Sequence, residues 1–540
     1  MLFVLVMLGV TGSAGVLTPA ATAAPGQLPD LDQIDPERFS YDEALTGFEQ
    51  VTTRTGAQIW LDYIRPDTDD PVPTILISSP YYNTLGRGWR AELKEPHQGP
   101  SFPTSPGVPF LATGEPVPYP EWYDEYFVPR GYAVVQMDLR GTRNSSGCQV
   151  YGDRDEVFDT VDVIDWIAEQ DWSNGKVGMT GGSYDGTISI GAAAEVPISG
   201  EHPDALAAII PIRAIGRWYD YHWFNGVQSE GHAATPALFT AALAGADTQN
   251  SGTDDLLLPL HFAERKACIA TIGAAVDAGY VQPYQDADAP FWAERDFVKD
   301  FEGLTAATFV ISGLFDFNVK SNNTGHVWEN LPAGLPSKLW FMNGDHVDPH
   351  VPTVEDAEAG DHVMPFPFQD RYVEWTHRWY LQFLKGVEAG ALEGPQVEVQ
   401  RADGAWAASD QYPVPSQDLI WSLTSDGALF DGAAEEGSLT YRDAPTGATD
   451  VTLVAEPFAT DTHVSGQFAF DLLATIEGPD TTVAADIVAL PPGVEPGGDS
   501  TDLHNGGTEE ALQVSYAWVA PGTASRCRCA ASRRRAVAAP

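Results

Sequence analysis

Continuous apolar runs alternate with amphipathic segments between residues 46 and 390. Helical spacing of apolar residues is found at 157–169 and around 369–385. Uniformly apolar runs are typical of strands buried on both faces, so the alternation predicts an α/β fold, a parallel sheet with helices on both faces. The predicted strands include TILISS (74–79), YAVVQMD (132–138), KVGMT (176–180), LAAIIPI (206–212), TFVISG (308–313) and KLWFMNG (338–344).

Two regions depart from this rhythm. An aromatic and helical stretch at about 215–300 interrupts it, which predicts an inserted helical cap. Beyond residue 390, short alternating segments lie between Gly, Pro, Asp and Ser clusters, and they predict an all-β sandwich or jelly roll over 391–524. These segments include VEVQRA (397–402), LIWSLTS (419–425), VTLVAEPF (451–458) and TVAADIVAL (482–490).

The chain ends differ from the rest in composition. Residues 1–23 combine an apolar run with small residues, which predicts a secretory signal peptide, although no Lys or Arg precedes the run. A flexible leader is expected at 24–45, and the mature protein is expected to be secreted and free of the membrane. Residues 525–540 hold five arginines. We interpret this tail as translation out of frame that truncates the β domain, with a basic binding arm as the alternative.

Charge and cysteine content narrow the possible functions. The chain has 540 residues, 29 basic and 76 acidic, for a formal net charge of −47. Binding to nucleic acid or to an anionic membrane requires basic patches, so we expect the protein to bind neither. Cys148 and Cys268 are candidates for one disulfide in an exported protein. The chain has no CxxC or HExxH pattern, so we expect no metal or cofactor.

The segment KVGMTGGSYDGTISIG (176–191) predicts a strand, a sharp turn and a helix with Ser183 at the turn. Such a nucleophile elbow exposes a serine hydroxyl and needs small neighbours, because strand and helix pack closely around it. The usual pattern is G-x-S-x-G. Here Asp185 stands at the second glycine position and Gly186 follows it.

A base and an acid are expected after later strands, in the chain order Ser, Asp, His. Asp316 follows one predicted strand and His346 follows the next. Asp345 and Asp348 remain alternatives for the acid, and His350 for the base. The oxyanion hole is expected to use the backbone N–H of Tyr184, with the Tyr81 hydroxyl, after an early strand, as a second candidate.

Taken together, these motifs resemble the X-prolyl dipeptidyl-peptidase and cocaine-esterase group of serine α/β hydrolases. The serine motif of that group is G-x-S-Y-x-G, which the chain satisfies. The resemblance implies Ser183 as nucleophile, His346 as base, Asp316 as acid, and Tyr81 beside the Tyr184 amide as oxyanion donors. It is carried by SPYYN (79–83), RGYAVVQMDLRGTRNSSG (130–147), GGSYDG (181–186), RWYDYHWFNGV (217–227), FWAERDF (291–297), SGLFDFNV (312–319), NGDH (343–346), WYLQFLKG (379–386), VEVQRADGAW (397–406) and SGQFAFDLLAT (465–475).

The expected function is that of a secreted Xaa-Pro dipeptidyl-peptidase acting on peptides through an acyl-enzyme. An esterase or acylase of the cocaine-esterase type is the first alternative, and a non-catalytic carbohydrate- or surface-binding protein is the second. Candidates for the anion that holds a substrate amine are Asp185, Asp220 and Glu230. Candidates for an apolar proline slot are Trp218, Tyr219, Tyr221, Trp223 and Phe224, with Asp220 between them.

Overall fold

A computed structural model describes part of the chain with side chains and part as backbone. Side chains are described for residues 28–82, 123–223, 265, 267–268, 287–314, 316, 318–342, 346, 371–400 and 405–412. Backbone alone is described for residues 2–7, 224, 227–228, 369–370, 421–423, 429–431, 451–453, 462–463, 467–474, 481–489, 510–519, 525–532 and 536–537. Most of the predicted cap lies outside these residues.

The strands and helices of the described residues follow one another along the chain. The strands are β1 (Leu2–Met7), β2 (Leu45–Thr52), β3 (Gln58–Arg65), β4 (Val72–Ser79), β5 (Ala133–Asp138), β6 (Ser173–Gly182), β7 (Leu206–Ile212), β8 (Trp223–Phe224), β9 (Val227–Gln228), β10 (Ala307–Gly313), β11 (Ser337–Met342), β12 (Val397–Gln400), β13 (Trp406–Ser409), β14 (Trp421–Leu423), β15 (Leu429–Asp431), β16 (Val451–Leu453), β17 (Thr462–His463), β18 (Gln467–Ala474), β19 (Thr481–Ala489), β20 (Glu510–Val519), β21 (Ser525–Ser532) and β22 (Ala536–Val537). The helices are α1 (Leu31–Ile34), α2 (Tyr123–Phe127), α3 (Arg154–Ala168), α4 (Tyr184–Ser199), α5 (Trp218–His222), α6 (Pro290–Ala293), α7 (Ser321–Glu329) and α8 (Gln369–Lys385), with 3-10 turns at Tyr41–Glu43 and Val298–Gly303.

A ten-stranded mixed sheet is formed by strands between residues 45 and 409. Its strand order is β13-β12-β11-β10-β7-β6-β4-β5-β3-β2. The strands from β12 to β5 are parallel to their neighbours, whereas β3 runs antiparallel to β5, β2 to β3 and β13 to β12. The parallel sheet predicted from the apolar runs is therefore its centre, and antiparallel strands extend both edges.

Two apolar layers cover the two faces of this sheet. Along β4, Leu76 faces one layer while Ile75 and Ile77 face the other, because successive side chains of a strand point to opposite faces. The first layer includes α3 and α4, and the second includes α2 and α8. Because both faces are covered, every residue of β4, β5 and β10 is buried, which explains why their sequences are apolar without alternation.

The region beyond residue 390 begins inside the sheet. Strand β12, which the sequence predicts as part of the separate β domain, pairs in parallel with β11. Arg371 stabilises this edge of the sheet. Its guanidinium lies over the rings of Trp340 and Trp406 and donates a hydrogen bond to the Glu398 carboxylate at 2.6 Å. Strand β12 therefore extends the large sheet, which the sequence did not indicate, since alternation does not specify which sheet a strand joins.

Later strands pair with one another in smaller groups. Strands β16, β1, β19 and β20 form a four-stranded sheet, so residues 2–7 of the predicted signal peptide lie in a strand. Strand β21, within the arginine-rich tail, pairs antiparallel with β18. Among the helices in the described ranges, none is long and apolar enough to cross a membrane.

A disulfide joins Cys148, in the loop after β5, to Cys268 in the region between β7 and β10. The nearby Arg265 is buried and donates hydrogen bonds to the carbonyl oxygens of Arg143 and, at 3.1 Å, Ser145. These contacts hold Arg265 and Cys268 against the loop after β5.

Buried charges attach the segment 28–39, most of the predicted flexible leader, to α8. The Asp35 carboxylate accepts hydrogen bonds from Lys385 Nζ at 2.8 and 3.0 Å, His377 Nε2 at 3.0 Å and the Tyr132 hydroxyl at 3.3 Å. Burial lowers the pKa of Lys385 to about 8, opposed by Asp35. Residues 28–39 therefore pack against this domain, and the Asp35 carboxylate provides the buried charged contact of their attachment.

We expect Asp35→Ala to lower the free energy of unfolding by about 3 kcal/mol, because it leaves the buried Lys385 ammonium without its carboxylate. Denaturant unfolding followed by tryptophan fluorescence measures this loss. Asp32→Ala is the matched control. Its side chain is 85% exposed and lies 3.7 Å from Arg130, so we expect a loss of less than about 0.5 kcal/mol. Equal losses in both variants would contradict the structural role of Asp35.

Candidate active site

A strained turn between β6 and α4 carries Ser183. Its backbone has φ 59° and ψ −121°, a conformation that non-glycine residues rarely adopt and that is found mainly at functional sites. The Ser183 N–H donates to the carbonyl oxygen of Ile212 at 2.8 Å. The sheet therefore holds the turn, and Ser183 stands directly before the first residue of α4.

Two glycines make this turn possible. A Cβ atom at Gly181 would lie 2.3 Å from the Asp185 Cβ, and one at Gly186 would lie 2.5 Å from the Gly181 carbonyl oxygen. Neither position has room for a side chain, because helix and strand meet there in direct backbone contact. The placement of the second glycine three residues after Ser183 therefore has a steric reason.

Asp316 and His346 form a hydrogen-bonded pair. The distance between His346 Nδ1 and Asp316 Oδ2 is 2.7 Å, and Asp316 Oδ1 accepts from the backbone N–H groups of Asn318 at 2.9 Å and Val319 at 2.7 Å. The Asp316 side chain is fully buried, and the His346 side chain is 20% exposed. This geometry assigns the proton to Nδ1 and leaves Nε2 as an acceptor, as a general base requires.

Strand order brings these residues to one edge of the sheet. Ser183 follows β6, Asp316 follows β10 and His346 follows β11, and these strands run in parallel within the same sheet. The carboxyl ends of parallel strands share an edge, which is where open α/β sheets bind ligands.

The Tyr81 hydroxyl lies beside the nucleophile. It is within hydrogen-bonding reach of the Ser183 side chain and of the Tyr184 backbone N–H. Burial raises the pKa of Tyr81, and the nearby Asp185 carboxylate raises it further, so the phenol stays protonated near neutral pH and can donate. Tyr81 follows β4, and its N–H bonds the Ser79 hydroxyl at 3.0 Å.

The candidate aromatic residues of the proline slot fall into two groups. Trp218, Tyr219 and Trp223 are buried in the core, and Trp218 packs against the ring of Tyr184. Tyr221 is partly exposed and donates to Asn318 Oδ1 at 2.7 Å. The side chain of Phe224 lies outside the described residues.

The Tyr221 hydroxyl lies against the loop that carries Asp316, because it bonds Asn318 two residues later. Burial raises the pKa of Tyr221, and Tyr81 and Asp316 add to the rise.

The candidate carboxylates differ in accessibility. Asp185 is fully buried at the start of α4, so the structure argues against its role in binding a substrate amine. Asp220 is partly exposed and lies 3.6 Å from Arg217, and burial raises its pKa. Glu230, with Asp345, Asp348 and His350, lies outside the described residues.

Sequence reasoning did not identify several polar residues around the site. Glu156 accepts a hydrogen bond from the Tyr184 hydroxyl at 2.8 Å, and Gln149 donates to that hydroxyl at 2.8 Å. Burial lowers the pKa of Lys320 to about 8, opposed by Asp316. A helix-starting acid such as Glu156 has no sequence signal beyond the capping pattern of an ordinary helix.

Comparison with known proteins gives the family. The model of the X-Pro dipeptidyl-peptidase (S15 family) matches residues 55–348, and that of the X-Pro dipeptidyl-peptidase C-terminal non-catalytic domain matches 390–526. A provisionally named Xaa-Pro dipeptidyl-peptidase of Streptomyces avermitilis is 28% identical over 89% of this chain and 68% of its own length. One of Bacillus anthracis is 30% identical over 70% of this chain and 59% of its own length. The Xaa-Pro dipeptidyl-peptidase of Lactiplantibacillus plantarum is 32% identical over 42% of this chain, which spans 28% of that relative.

Solved structures share the fold at low sequence identity. A CocE/NonD family hydrolase of Staphylococcus aureus has a TM-score of 0.63 and 16% identity, covering 92% of this chain and 81% of its own. An α-amino acid ester hydrolase has a TM-score of 0.60 and 17% identity, covering 97% and 88%. The catalytic part therefore has the α/β-hydrolase fold of CocE/NonD proteins. Because the S15 model matches more than half of its residues, the chain belongs to the X-Pro dipeptidyl-peptidase (S15) family of serine hydrolases.

Proposed function

We propose that this chain is a secreted hydrolase that removes Xaa-Pro dipeptides from peptides through Ser183, His346 and Asp316. The observation that carries the proposal is that the Tyr81 hydroxyl is within hydrogen-bonding reach of both the Ser183 side chain and the Tyr184 N–H. A nucleophile with two hydrogen-bond donors beside it is the arrangement that acyl transfer needs, because negative charge develops on the carbonyl oxygen during attack.

In the proposed reaction, Ser183 Oγ attacks the substrate carbonyl while His346 Nε2 takes its proton. The Asp316 carboxylate keeps the proton on Nδ1 and stabilises the imidazolium that forms. The new C–O bond gives a tetrahedral intermediate, whose oxyanion accepts hydrogen bonds from Tyr81 and the Tyr184 N–H. The protonated His346 then delivers its proton to the leaving amine, the C–N bond breaks, and water hydrolyses the acyl-enzyme by the same steps.

Substrate choice rests on groups around this centre. We assign Tyr221 to the wall of the pocket that receives proline, because the residue is partly exposed and its hydroxyl bonds Asn318 in the Asp316 loop. Asp220 and Glu230 are the proposed partners of a substrate ammonium group. Named relatives are Xaa-Pro dipeptidyl-peptidases, which favours peptides over esters.

Export agrees with the Cys148–Cys268 disulfide, since such bonds persist in oxidising compartments. We also propose that a helical cap at about 215–300 covers the site and that residues beyond the catalytic sheet form a jelly roll. An esterase or acylase remains the second candidate, because hydrolases of esters share this fold. A binding protein without catalysis is less favoured, since it would have no use for the His346–Asp316 pair.

Ser183→Ala is expected to lower turnover by more than about 10⁴-fold while substrate binding persists, because the acylated oxygen is removed. The rate on an Ala-Pro anilide measures the loss, and a fluorophosphonate probe should label the wild type but not the variant. The matched control is Ser189→Ala. Ser189 is a buried serine of α4 whose hydroxyl donates to the Gly186 carbonyl, and its removal should leave turnover within severalfold. Substantial turnover by Ser183→Ala would refute the nucleophile, and unlabelled folded wild type would favour the binding protein.

Tyr81→Phe is expected to lower kcat by about 10²-fold with little change in KM, because the phenol stabilises charge that exists only in the transition state. Steady-state kinetics separate the two constants. Tyr82→Phe is the control, since the Tyr82 hydroxyl bonds the Ile77 carbonyl. A rise in KM at unchanged kcat would mean that Tyr81 binds substrate instead of the oxyanion.

The peptidase proposal predicts hydrolysis of an Ala-Pro anilide with a free amino terminus, and at least about tenfold slower hydrolysis of its N-acetylated form. Acetylation removes the ammonium charge that a carboxylate would bind, and tenfold corresponds to about 1.4 kcal/mol. Rates on both anilides and on a simple aryl ester are compared with the same enzyme. Ester turnover without anilide cleavage would support the esterase instead.

A further inference from the structure

Glu156 is a buried carboxylate in the first turn of α3, and it lies outside the acid–base pair. Its Oε1 accepts from the Val150 N–H at 3.0 Å, and its Oε2 accepts from the Gly152 N–H at 3.2 Å and the Tyr184 hydroxyl at 2.8 Å. All three groups donate, so the site is matched to an ionised carboxylate, which only accepts. Burial raises the pKa of Glu156 to about 7, and Asp153 contributes to the rise. Burying such a group is costly unless hydrogen bonds compensate.

The Tyr184 side chain is held on several sides. Its hydroxyl lies between Glu156 and Gln149, and its ring meets the rings of Trp218 at 5.0 Å and Tyr81 at 6.3 Å. The backbone N–H of Tyr184 is also within hydrogen-bonding reach of the Tyr81 hydroxyl. Fixing the ring of Tyr184 therefore fixes its Cα, and with it the direction of the N–H at the start of α4.

The loop 148–152, to which Glu156 ties Tyr184, is itself anchored. Arg295 donates to the carbonyl oxygens of Tyr151 at 2.8 Å and Val150 at 2.6 Å. The Tyr151 hydroxyl lies 2.5 Å from His222 Nε2, and Cys148 carries the disulfide. Glu156 thus connects the oxyanion side of the site to a rigid support.

We propose that Glu156 is a positioning residue for the oxyanion hole. It holds the Tyr184 hydroxyl against the loop 148–152, and the Tyr184 N–H thereby stays directed at the carbonyl oxygen under attack. The inference rests on the proposed function, because it needs Tyr184 as an oxyanion donor. Preorganised donors lose much of their effect when displaced, and small misplacements are expensive in rate.

Glu156→Gln tests this with a side chain of the same size. The amide nitrogen of glutamine donates and cannot accept a hydrogen bond. In the variant this nitrogen therefore faces another donor, which is either the Val150 N–H or the pair formed by the Gly152 N–H and the Tyr184 hydroxyl. We expect kcat on the best substrate to fall about tenfold with KM within about twofold, because the oxyanion exists only in the transition state. A role in substrate binding would raise KM instead.

Tyr184→Phe removes the hydroxyl and leaves the backbone N–H in place. If Glu156 acts through this hydroxyl, Tyr184→Phe should lower kcat by a similar factor, and the double variant should be no slower than the slower single variant. A double variant whose loss is the product of the two single losses overturns the proposal, as does wild-type kcat in Glu156→Gln. If Glu156→Gln does not fold, wild-type kcat in Tyr184→Phe overturns it.

Glu195→Gln is the control for the loss of a buried carboxylate near α4. Its carboxylate is 3.1 Å from Arg154, and it is eleven residues along the helix from Tyr184, by 195 minus 184. We expect Glu195→Gln to lower the stability of the protein and to leave kcat unchanged. Melting temperatures of all variants are measured beside the rates. A tenfold loss of kcat in Glu195→Gln as well would assign the effect of Glu156 to general destabilisation and overturn the proposal.

The rate of labelling by a fluorophosphonate separates this proposal from the proposed function. Phosphonylation of Ser183 also places negative charge on an oxygen in the hole, so Glu156→Gln should slow it by about the same factor as kcat. Unlabelled folded wild type would refute the proposed function itself. Wild-type labelling with an unchanged rate in Glu156→Gln would refute only the positioning role.

Discussion

The direct backbone contact between strand β6 and helix α4 is the constraint on which the site depends. Because Gly181 and Gly186 carry no side chains, the helix begins immediately after the strand and Ser183 is forced into a strained conformation. The Tyr184 N–H, the first of the helix, is within reach of the Tyr81 hydroxyl, which follows β4. The helix N-terminus adds its partial positive charge near Ser183. The proposed nucleophile and the proposed Tyr184 donor thus both depend on this packing contact.

The sequence predicted much of this framework because the relevant signals are local. Strands buried on both faces must be apolar throughout, so β4, β5, β7 and β10 were recognisable without knowledge of their neighbours. Chain order and strand ends predicted Asp316 and His346 as acid and base, and the two side chains are joined by a hydrogen bond. The sequence could not predict that β12 joins the ten-stranded sheet, because its alternating pattern fits either sheet.

The residues that sequence reasoning missed act through partners far away in the chain. Asp35 meets Lys385 across 350 positions, and Glu156 meets Tyr184 across 28. With 76 acidic residues in the chain, a single carboxylate carries no signal until the fold shows which donors surround it. The aromatic candidates show the reverse error. Trp218 and Tyr219 were noticed as a cluster, yet most of that cluster is buried core, since large aromatic side chains contribute more to packing than other residues do.

The loop 148–152 links two parts of the chain that are far apart in sequence. From one side, residues between β7 and β10 bind it through the Cys268 disulfide and the Arg295 hydrogen bonds. From the other side, Glu156 binds both the loop and the Tyr184 hydroxyl. Cys268 and Arg295 are therefore connected through this loop and Glu156 to the Tyr184 side chain. Under the proposed mechanism, a shift of either residue would strain the contacts that hold Tyr184, so its effect would reach the proposed oxyanion donor.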